Sequence, residues 1–316
     1  MTTKKAKSPI LPSNHADPTG ADALERKAMK DFARRINQVK KVYQNALNRI
    51  PASPAVNTHY EFQLNPTLLS QIFTDASYLV DQILLDGGEY GLWFYDYVDQ
   101  ASTRGTGQSF ANLSQQSAAY AAERESLAAI LISEPYQRRM ALVHAREFEE
   151  MKGLTAQIKT DMARVLTDGI GRGLNPREVA RNLTTQAGIE KGRANRIART
   201  EITTALRRAR WDEADEATTL LGLNIKLMHF SALSPTTRQA HALRHAHLYT
   251  VEEVREWYAT GANAINCKCS QVEVLVDEAG NPLYPNVIEM AQKEFNSQWK
   301  KMKVNHSVCH CCKHAA

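Results

Sequence analysis

All five cysteines of this 316-residue chain lie in its C-terminal quarter, from Cys267 onward. Cys267 and Cys269 are one residue apart and follow a histidine group that includes His241 and His245. Thiolates and imidazoles concentrated in one segment are typical of a metal or redox site, because zinc prefers these ligands. Such a site constrains the fold, since residues distant in sequence must converge on it.

Two thiolates from Cys-x-Cys and two imidazoles, from His241 and His245, would complete a tetrahedral zinc shell. The two histidines stand four residues apart and would share one face of a helix. The alternative is that the histidines lie at the surface and the thiols are small buried groups. A second, weaker set of candidate ligands lies in the last residues, namely Cys309, Cys311, Cys312 and His314. A disordered tail explains that set equally well. The expected cofactor is structural zinc, and no other is expected.

Composition excludes several classes of protein. Charged residues make up 23% of the chain and hydrophobic residues 43%, which is typical of a soluble protein. No apolar run approaches the roughly 20 residues of a transmembrane helix, so we expect no membrane partner. An odd number of cysteines without an apolar signal segment favours a reducing compartment over a secreted disulfide framework. The net charge of +5 is too small to establish a nucleic-acid partner.

Helical periodicity dominates the chain and breaks at prolines and glycines. The patterns predict a long helix over 21–50, others over 70–85 and 114–132, and a helix with a mobile loop behind it over 87–107. Strands are predicted over 224–230 and 271–276. The predicted fold is mainly α, with an elongated helical N-terminal region and a small α+β C-terminal domain. The predicted domains are a disordered arm (1–20), a helical domain (21–150), an α+β domain (151–303) and a Cys/His-rich tail (304–316).

The predicted helix over 191–221 separates its residue types into an apolar and a basic face at 100° per residue. The basic arc consists of Arg193, Arg196, Arg199, Arg207 and Arg210. Guanidinium groups in such an arc could bind phosphates or an acidic partner, and a solvated helix face is the alternative interpretation. A short helix over 175–183 and a turn over 187–191 precede it, which is also the pattern of a helix-turn-helix DNA reader.

Three motifs, in this order along the chain, resemble the phage head morphogenesis proteins. They are Arg-Ile-Ala-Arg-Thr-Glu at 196–201, Thr-Arg-x-x-His at 237–241 and Ile-Asn-Cys-Lys-Cys at 265–269. Members of this family are minor capsid proteins similar to the F protein of phage Mu and to gene product 7 of phage SPP1. The motif residues expected to have structural roles are Thr200, Glu201, Thr237, Arg238 and Asn266. Ser234 and Lys268 depart from the family pattern, which has an acidic residue and an arginine there.

The resemblance implies a minor structural protein of a tailed-phage or prophage head, which acts in procapsid assembly. The expected partners are the portal protein, the major capsid or scaffold protein and phage DNA. The expected location is the head interior or portal vertex, with the host cytoplasm during assembly. One alternative is a nucleic-acid-binding module on the arginine-rich helix. Another is an enzyme, either zinc-dependent or ADP-ribosyl-transferring, but neither a nucleophile–base pair nor a glycine-rich phosphate loop stands out, so we expect no catalytic residues.

Overall fold

The computed structural model describes residues 6–299. Its helices are α1 (Asp22–Asn48), α2 (Pro66–Leu84), α3 (Gly88–Gly91), α4 (Tyr95–Gln116), α5 (Ala118–Glu123), α6 (Leu127–Ile132), α7 (Glu134–Gly171), α8 (Pro176–Leu221), α9 (Gln239–Leu243), α10 (Val251–Ala259) and α11 (Asn286–Gln298). Its strands are β1 (Ala52–Pro54), β2 (Tyr60–Phe62), β3 (Ile225–Phe230), β4 (Leu248–Tyr249) and β5 (Ser270–Leu275). The prediction of a mainly α fold with a small α+β region toward the C-terminus is confirmed.

The described residues form two compact units, and each is assembled from segments that are distant in sequence. The helical unit consists of residues 25–97 and 138–199, and the sheet unit consists of residues 6–24, 98–137 and 200–299. Helices α1, α4, α7 and α8 each contribute residues to both units. The predicted domains are continuous segments of the chain, whereas the two units are discontinuous. The predicted boundaries at 150 and 303 therefore stay a prediction.

In the helical unit, helices bury apolar side chains at intervals of three and four residues, as an amphipathic pattern requires. Helix α1 buries Phe32, Ile36 and Val39, and α2 buries Ile72, Ala76, Val80 and Leu84. Tyr43 of α1 donates a hydrogen bond of 3.1 Å to the backbone oxygen of Lys159 in α7. A short antiparallel hairpin of β1 and β2 completes this unit.

The sheet unit contains a three-stranded antiparallel sheet in the order β4-β3-β5. In its register, Phe230 pairs with Ser270, and Ile225 pairs with Leu275. Every residue of β5 is buried, so the usual alternation between a core face and a solvent face does not apply to this strand. Both faces of β5 are therefore covered.

The two faces of this sheet differ in chemistry. One face carries Met228 and Val272, which pack in an apolar cluster with Ala291 of α11. The other face turns Leu227 toward a cluster that includes Trp211 of α8 and residues of α10. This second face also carries buried polar side chains, which are His229, Gln271 and Glu273.

Glu273 connects this face to α4 and α8 through charge-assisted hydrogen bonds. Its carboxylate accepts two hydrogen bonds from Arg210, at 2.9 and 2.6 Å, and others from Ser109 at 2.9 Å and Asn112 at 2.7 Å. Burial alone would raise the pKa of Glu273, but the charge and hydrogen bonds of Arg210 and a hydrogen bond from Asn112 lower it. A buried ion pair in which each oxygen has a donor fixes the two helices against the sheet.

Helices α4 and α8 approach each other closely within the sheet unit at Gly105. A Cβ atom at this position would lie 2.2 Å from the backbone oxygen of Leu206 and 3.1 Å from Cβ of Ala209. Glycine is therefore required here for space. The prediction of a mobile loop over this glycine-containing segment is wrong, because residues 95–116 form one helix.

The predicted short helix and turn before the arginine-rich helix are also absent from the described chain. Residues 176–221 form the single 46-residue helix α8, which runs without interruption through the segment 187–191. Gly188 and Gly192 cost helix stability, but tertiary packing outweighs that local preference. Without a turn between two helices, the helix-turn-helix interpretation is wrong.

Two further expectations need correction. The helix predicted over 114–132 is divided at Ser117 and Ser126, whose side chains each cap the start of a new short helix. The prediction of a disordered arm is wrong for residues 6–20. In that segment the backbone nitrogen of Ile10 donates to Asn112 at 2.7 Å, and Asp17 accepts from the backbone nitrogens of Ala21 and Asp22 at the start of α1.

Candidate metal centre

Four buried side chains with metal-binding atoms converge in the sheet unit. His229 lies in β3, His241 in α9, and Cys267 and Cys269 in the segment that leads into β5. Their exposed fractions are 0%, 2%, 3% and 3%, in that order. We refer to these four residues as the Cys/His cluster.

The distances within the cluster are short. Nδ1 of His241 lies 3.4 Å from Sγ of Cys267 and 3.6 Å from Sγ of Cys269. Candidate ligand atoms of His229, His241 and Cys269 all lie within 4.8 Å of one another. The structure therefore brings together three of the residues that the sequence marked as ligands, and it adds His229.

His229 is the residue that sequence reasoning missed. It stands between Met228 and Phe230 in a strand whose remaining residues are mostly apolar. A histidine on the buried face of such a strand indicates a candidate ligand, but the strand must be predicted before that face can be identified. Nδ1 of His229 lies 3.4 Å from the side-chain nitrogen of Gln271, and its Nε2 has no hydrogen-bond partner among the described residues.

His245 is not part of the cluster, so its assignment as a ligand is wrong. Its Nδ1 accepts a hydrogen bond from the backbone nitrogen of Ser231 at 3.1 Å, and its Nε2 lies 3.1 Å from the backbone oxygen of Ala291. Burial lowers the pKa of His245 to about 4. The predicted shared face requires a continuous helix, but α9 ends at Leu243 and His245 lies beyond it.

Hydrogen bonds around the two cysteines fix their backbone. Arg207 of α8 donates to the backbone oxygens of Cys267 and Cys269, at 3.1 and 3.4 Å. Its guanidinium group also lies 4.4 Å from the centre of the Tyr258 ring. The Tyr258 hydroxyl lies 3.8 Å from Sγ of Cys267 and accepts a hydrogen bond of 3.0 Å from Gln271. This shell holds the thiols in place independently of any ligand.

The two thiols differ in acidity. Burial raises the pKa of Cys267, but hydrogen bonds with Cys269 and His241 and the positive charge of Arg207 lower it well below the usual value. The hydrogen bond from Cys269 to Cys267, together with burial, raises the pKa of Cys269. The pair therefore holds one negative charge more readily than two.

The motif residues stabilise the loops that carry the cluster. The Thr200 hydroxyl accepts a hydrogen bond of 2.9 Å from the backbone nitrogen of Asn266, which adopts a left-handed conformation with φ of 54°. Arg238 donates to the backbone oxygens of residues 263 and 265, at 2.9 and 3.2 Å. Thr237 accepts from the backbone nitrogen of Ser234 at 2.9 Å. Glu201 is half-buried on α8.

The five arginines of α8 do not form one exposed face. In the helical unit, Arg193 pairs with Glu190 at 2.7 Å and Arg199 with Glu25 at 2.7 Å, while Arg196 is exposed. In the sheet unit, Arg207 and Arg210 are 1% and 3% exposed. Most of the guanidinium groups are engaged within their own unit. Their role in binding DNA or a partner stays a prediction.

The candidate ligands Cys309, Cys311, Cys312 and His314 lie outside the described residues.

None of the helices within residues 6–299 is long and apolar enough to cross a membrane.

Comparison with known families identifies the segment that contains this cluster. Residues 160–272 match the family model described as phage Mu protein F like protein. The match supports a phage head morphogenesis family for this segment. The match begins in α7 and ends in β5, and it includes the whole Cys/His cluster. The resemblance drawn from the three motifs is thereby confirmed. No curated protein matches the chain, and no solved structure matches it.

Proposed function

We propose that this protein is a minor structural component of a tailed-phage or prophage head and acts during procapsid assembly. The observation that carries the proposal is the family match over residues 160–272. Its location would be the head interior or the portal vertex, where a low-copy protein can contact the portal and the inner shell.

Burial of the Cys/His cluster supports a structural role over the zinc-enzyme alternative. A catalytic zinc keeps one coordination position open to water and substrate. The four side chains of the cluster are at most 3% exposed, so a substrate has no access to them. Their contacts instead connect β3, α9 and the start of β5.

An ADP-ribosyl-transferring enzyme would use Arg199, Thr200 and Glu201, but the contacts of Arg199 and Thr200 do not support this alternative. Arg199 is paired with Glu25 in the helical unit, and the Thr200 hydroxyl is bonded to the backbone of Asn266 in the sheet unit. Both contacts are of the kind that stabilises a fold.

The nucleic-acid-binding alternative loses most of its expected surface. Arg207 and Arg210 are buried, and Arg193 and Arg199 are paired with carboxylates. Arg196 remains exposed, so a DNA contact at this helix would depend on few charges and would have a shallow salt dependence.

Quantitative mass spectrometry of purified heads tests the proposal. We expect the chain in both procapsids and mature heads, at a low and constant ratio to the portal protein. A matched preparation from a phage with a stop codon early in this gene is the control, and it should show fewer or aberrant procapsids. Absence of the chain from heads of a phage that expresses it would overturn the proposal.

Portal association can be tested separately by co-sedimentation of the purified chain with portal rings at increasing salt. Contacts made by apolar helix faces should persist at high salt, whereas contacts made by exposed charges should weaken. Failure to co-sediment at any salt concentration would overturn portal association and leave the head assignment intact.

A further inference from the structure

We propose that His229, His241, Cys267 and Cys269 bind one Zn²⁺ ion in a closed, structural site. The inference rests on the geometry of the Cys/His cluster and is independent of the head-assembly role. Two thiolates and two imidazoles form a donor set that is characteristic of structural zinc.

The separations between His241 and the two cysteine sulfurs fit tetrahedral coordination. With Zn–S and Zn–N bonds of about 2.3 and 2.0 Å, tetrahedral angles place a sulfur and a nitrogen about 3.5 Å apart. The two measured separations from His241 Nδ1 to the cysteine sulfurs are 3.4 and 3.6 Å. His229 completes the set, with a ligand atom within 4.8 Å of those of His241 and Cys269.

An unpartnered ring nitrogen supports the inclusion of His229. Its Nε2 is fully buried and has no hydrogen-bond partner among the described residues. A buried polar atom without a partner costs about 1–3 kcal/mol, so a protein rarely keeps one without a reason. Coordination of a metal by this imidazole would provide that reason.

The charge of the site also suits a divalent ion. Two thiolates and two neutral imidazoles carry a charge of −2, which Zn²⁺ neutralises. Binding of the ion avoids the large cost of leaving two thiolates uncompensated in the protein interior. Arg207 remains bonded to the backbone oxygens of both cysteines.

Zinc would connect β3, α9 and the segment before β5. Strand pairing joins β3 to β5 but does not include α9. His229 lies in β3, and Cys269 immediately precedes β5, which is paired with β3. His241 belongs to the five-residue helix α9, which is too short to be stable alone. The metal would hold α9 and its loops against the edge of the sheet.

The experiment measures zinc in the full chain, purified without chelators from cells grown with added zinc. The tail could bind metal by itself, so the measurement is repeated on a full-length variant with Cys309→Ser, Cys311→Ser and Cys312→Ser. We expect about one zinc per chain in this variant. Less than about 0.2 zinc per chain, with no uptake of added Co²⁺, would overturn the proposal.

Two matched variants in the tail-substituted chain test the ligand set. His229→Ala should lose zinc at least tenfold more readily to a competing chelator, whereas His245→Ala should retain it, although both histidines are buried. Equal retention by the two variants would remove His229 from the site.

A ligand-conserving variant covers the case in which His229→Ala does not fold. His229→Cys should still bind one Co²⁺ ion with tetrahedral d–d bands, and its thiolate charge-transfer absorption should exceed that of the parent by about half, because three thiolates replace two. A parent-like charge-transfer intensity in folded His229→Cys would contradict coordination by residue 229.

Discussion

Replacing Gly105 with alanine should destabilise the sheet unit, because α4 and α8 are in backbone contact there. The new Cβ would lie 2.2 Å from the backbone oxygen of Leu206, against an ordinary contact of about 3.4 Å. The two helices must therefore separate locally by about 1 Å. Neither helix can relieve this overlap by rotating a side chain, since the obstructing atom belongs to the backbone.

The size of the destabilisation by Gly105→Ala follows from two opposing effects. Overpacking of a tight contact costs about 1–3 kcal/mol, and the severity of this overlap places it at the upper end. Alanine in place of glycine within a helix recovers about 1 kcal/mol. The net loss should be about 2 kcal/mol, and separation of the helices would also strain the hydrogen bonds that Ser109 and Asn112 of α4 make with Glu273.

Thermal unfolding of the full chain measures this effect. For a unit of this size, about 2 kcal/mol corresponds to a decrease in Tm of about 4–8 °C. Gly188→Ala is the matched control, because a Cβ on this helical glycine meets nothing within 4 Å and should stabilise its helix by up to about 1 kcal/mol. If Gly105→Ala raises Tm as the control does, the close approach of the two helices is refuted.

Other perturbations address the buried network and a helix cap. Glu273→Gln should cost about 3–5 kcal/mol in urea unfolding, because Arg210 loses its buried partner, whereas exposed Glu278→Gln should have little effect. The folded-state pKa of Glu273 is lowered, so its contribution should be complete above the unfolded pKa of about 4.5 and should be lost as pH falls below it. Urea midpoints from pH 7 to pH 3 check this sign, and an acid-insensitive difference between wild type and Glu273→Gln would contradict it. Thr250→Ala removes the capping box that Thr250 forms with Glu253 and should cost about 1 kcal/mol, detectable as faster hydrogen exchange in α10.

The fold class could be predicted from the sequence because the spacing of apolar residues indicates which side chains are buried. The regular spacing of Phe32 and Ile36 predicts α1, and the β-branched run over 271–276 predicts β5. Glycines in the sequence predicted turns or loops wrongly where tertiary contacts determine that the chain is helical. Gly188 is compatible with a turn, yet α8 continues through it, and Gly105 suggests a flexible loop where the structure requires a small residue between helices.

The candidate site was partly predictable for a similar reason. The spacing of Cys267 and Cys269 is visible along the chain, and His241 belongs to a recognisable motif. The choice between His229 and His245 depends on where α9 ends and on which face of β3 is buried. Neither property is local, so His245 was assigned and His229 was missed.

The discontinuous construction of the two units has a consequence for synthesis. The helical unit needs only residues 25–97 and 138–199, so all of its parts have been translated before residues 200–299 are made. The sheet unit needs residues 6–24, which precede the helical unit, and residues 200–299, which follow it. Its early segments must therefore remain without their partners until residues 200–299 have been translated, and apolar surface left exposed in this interval is prone to aggregation.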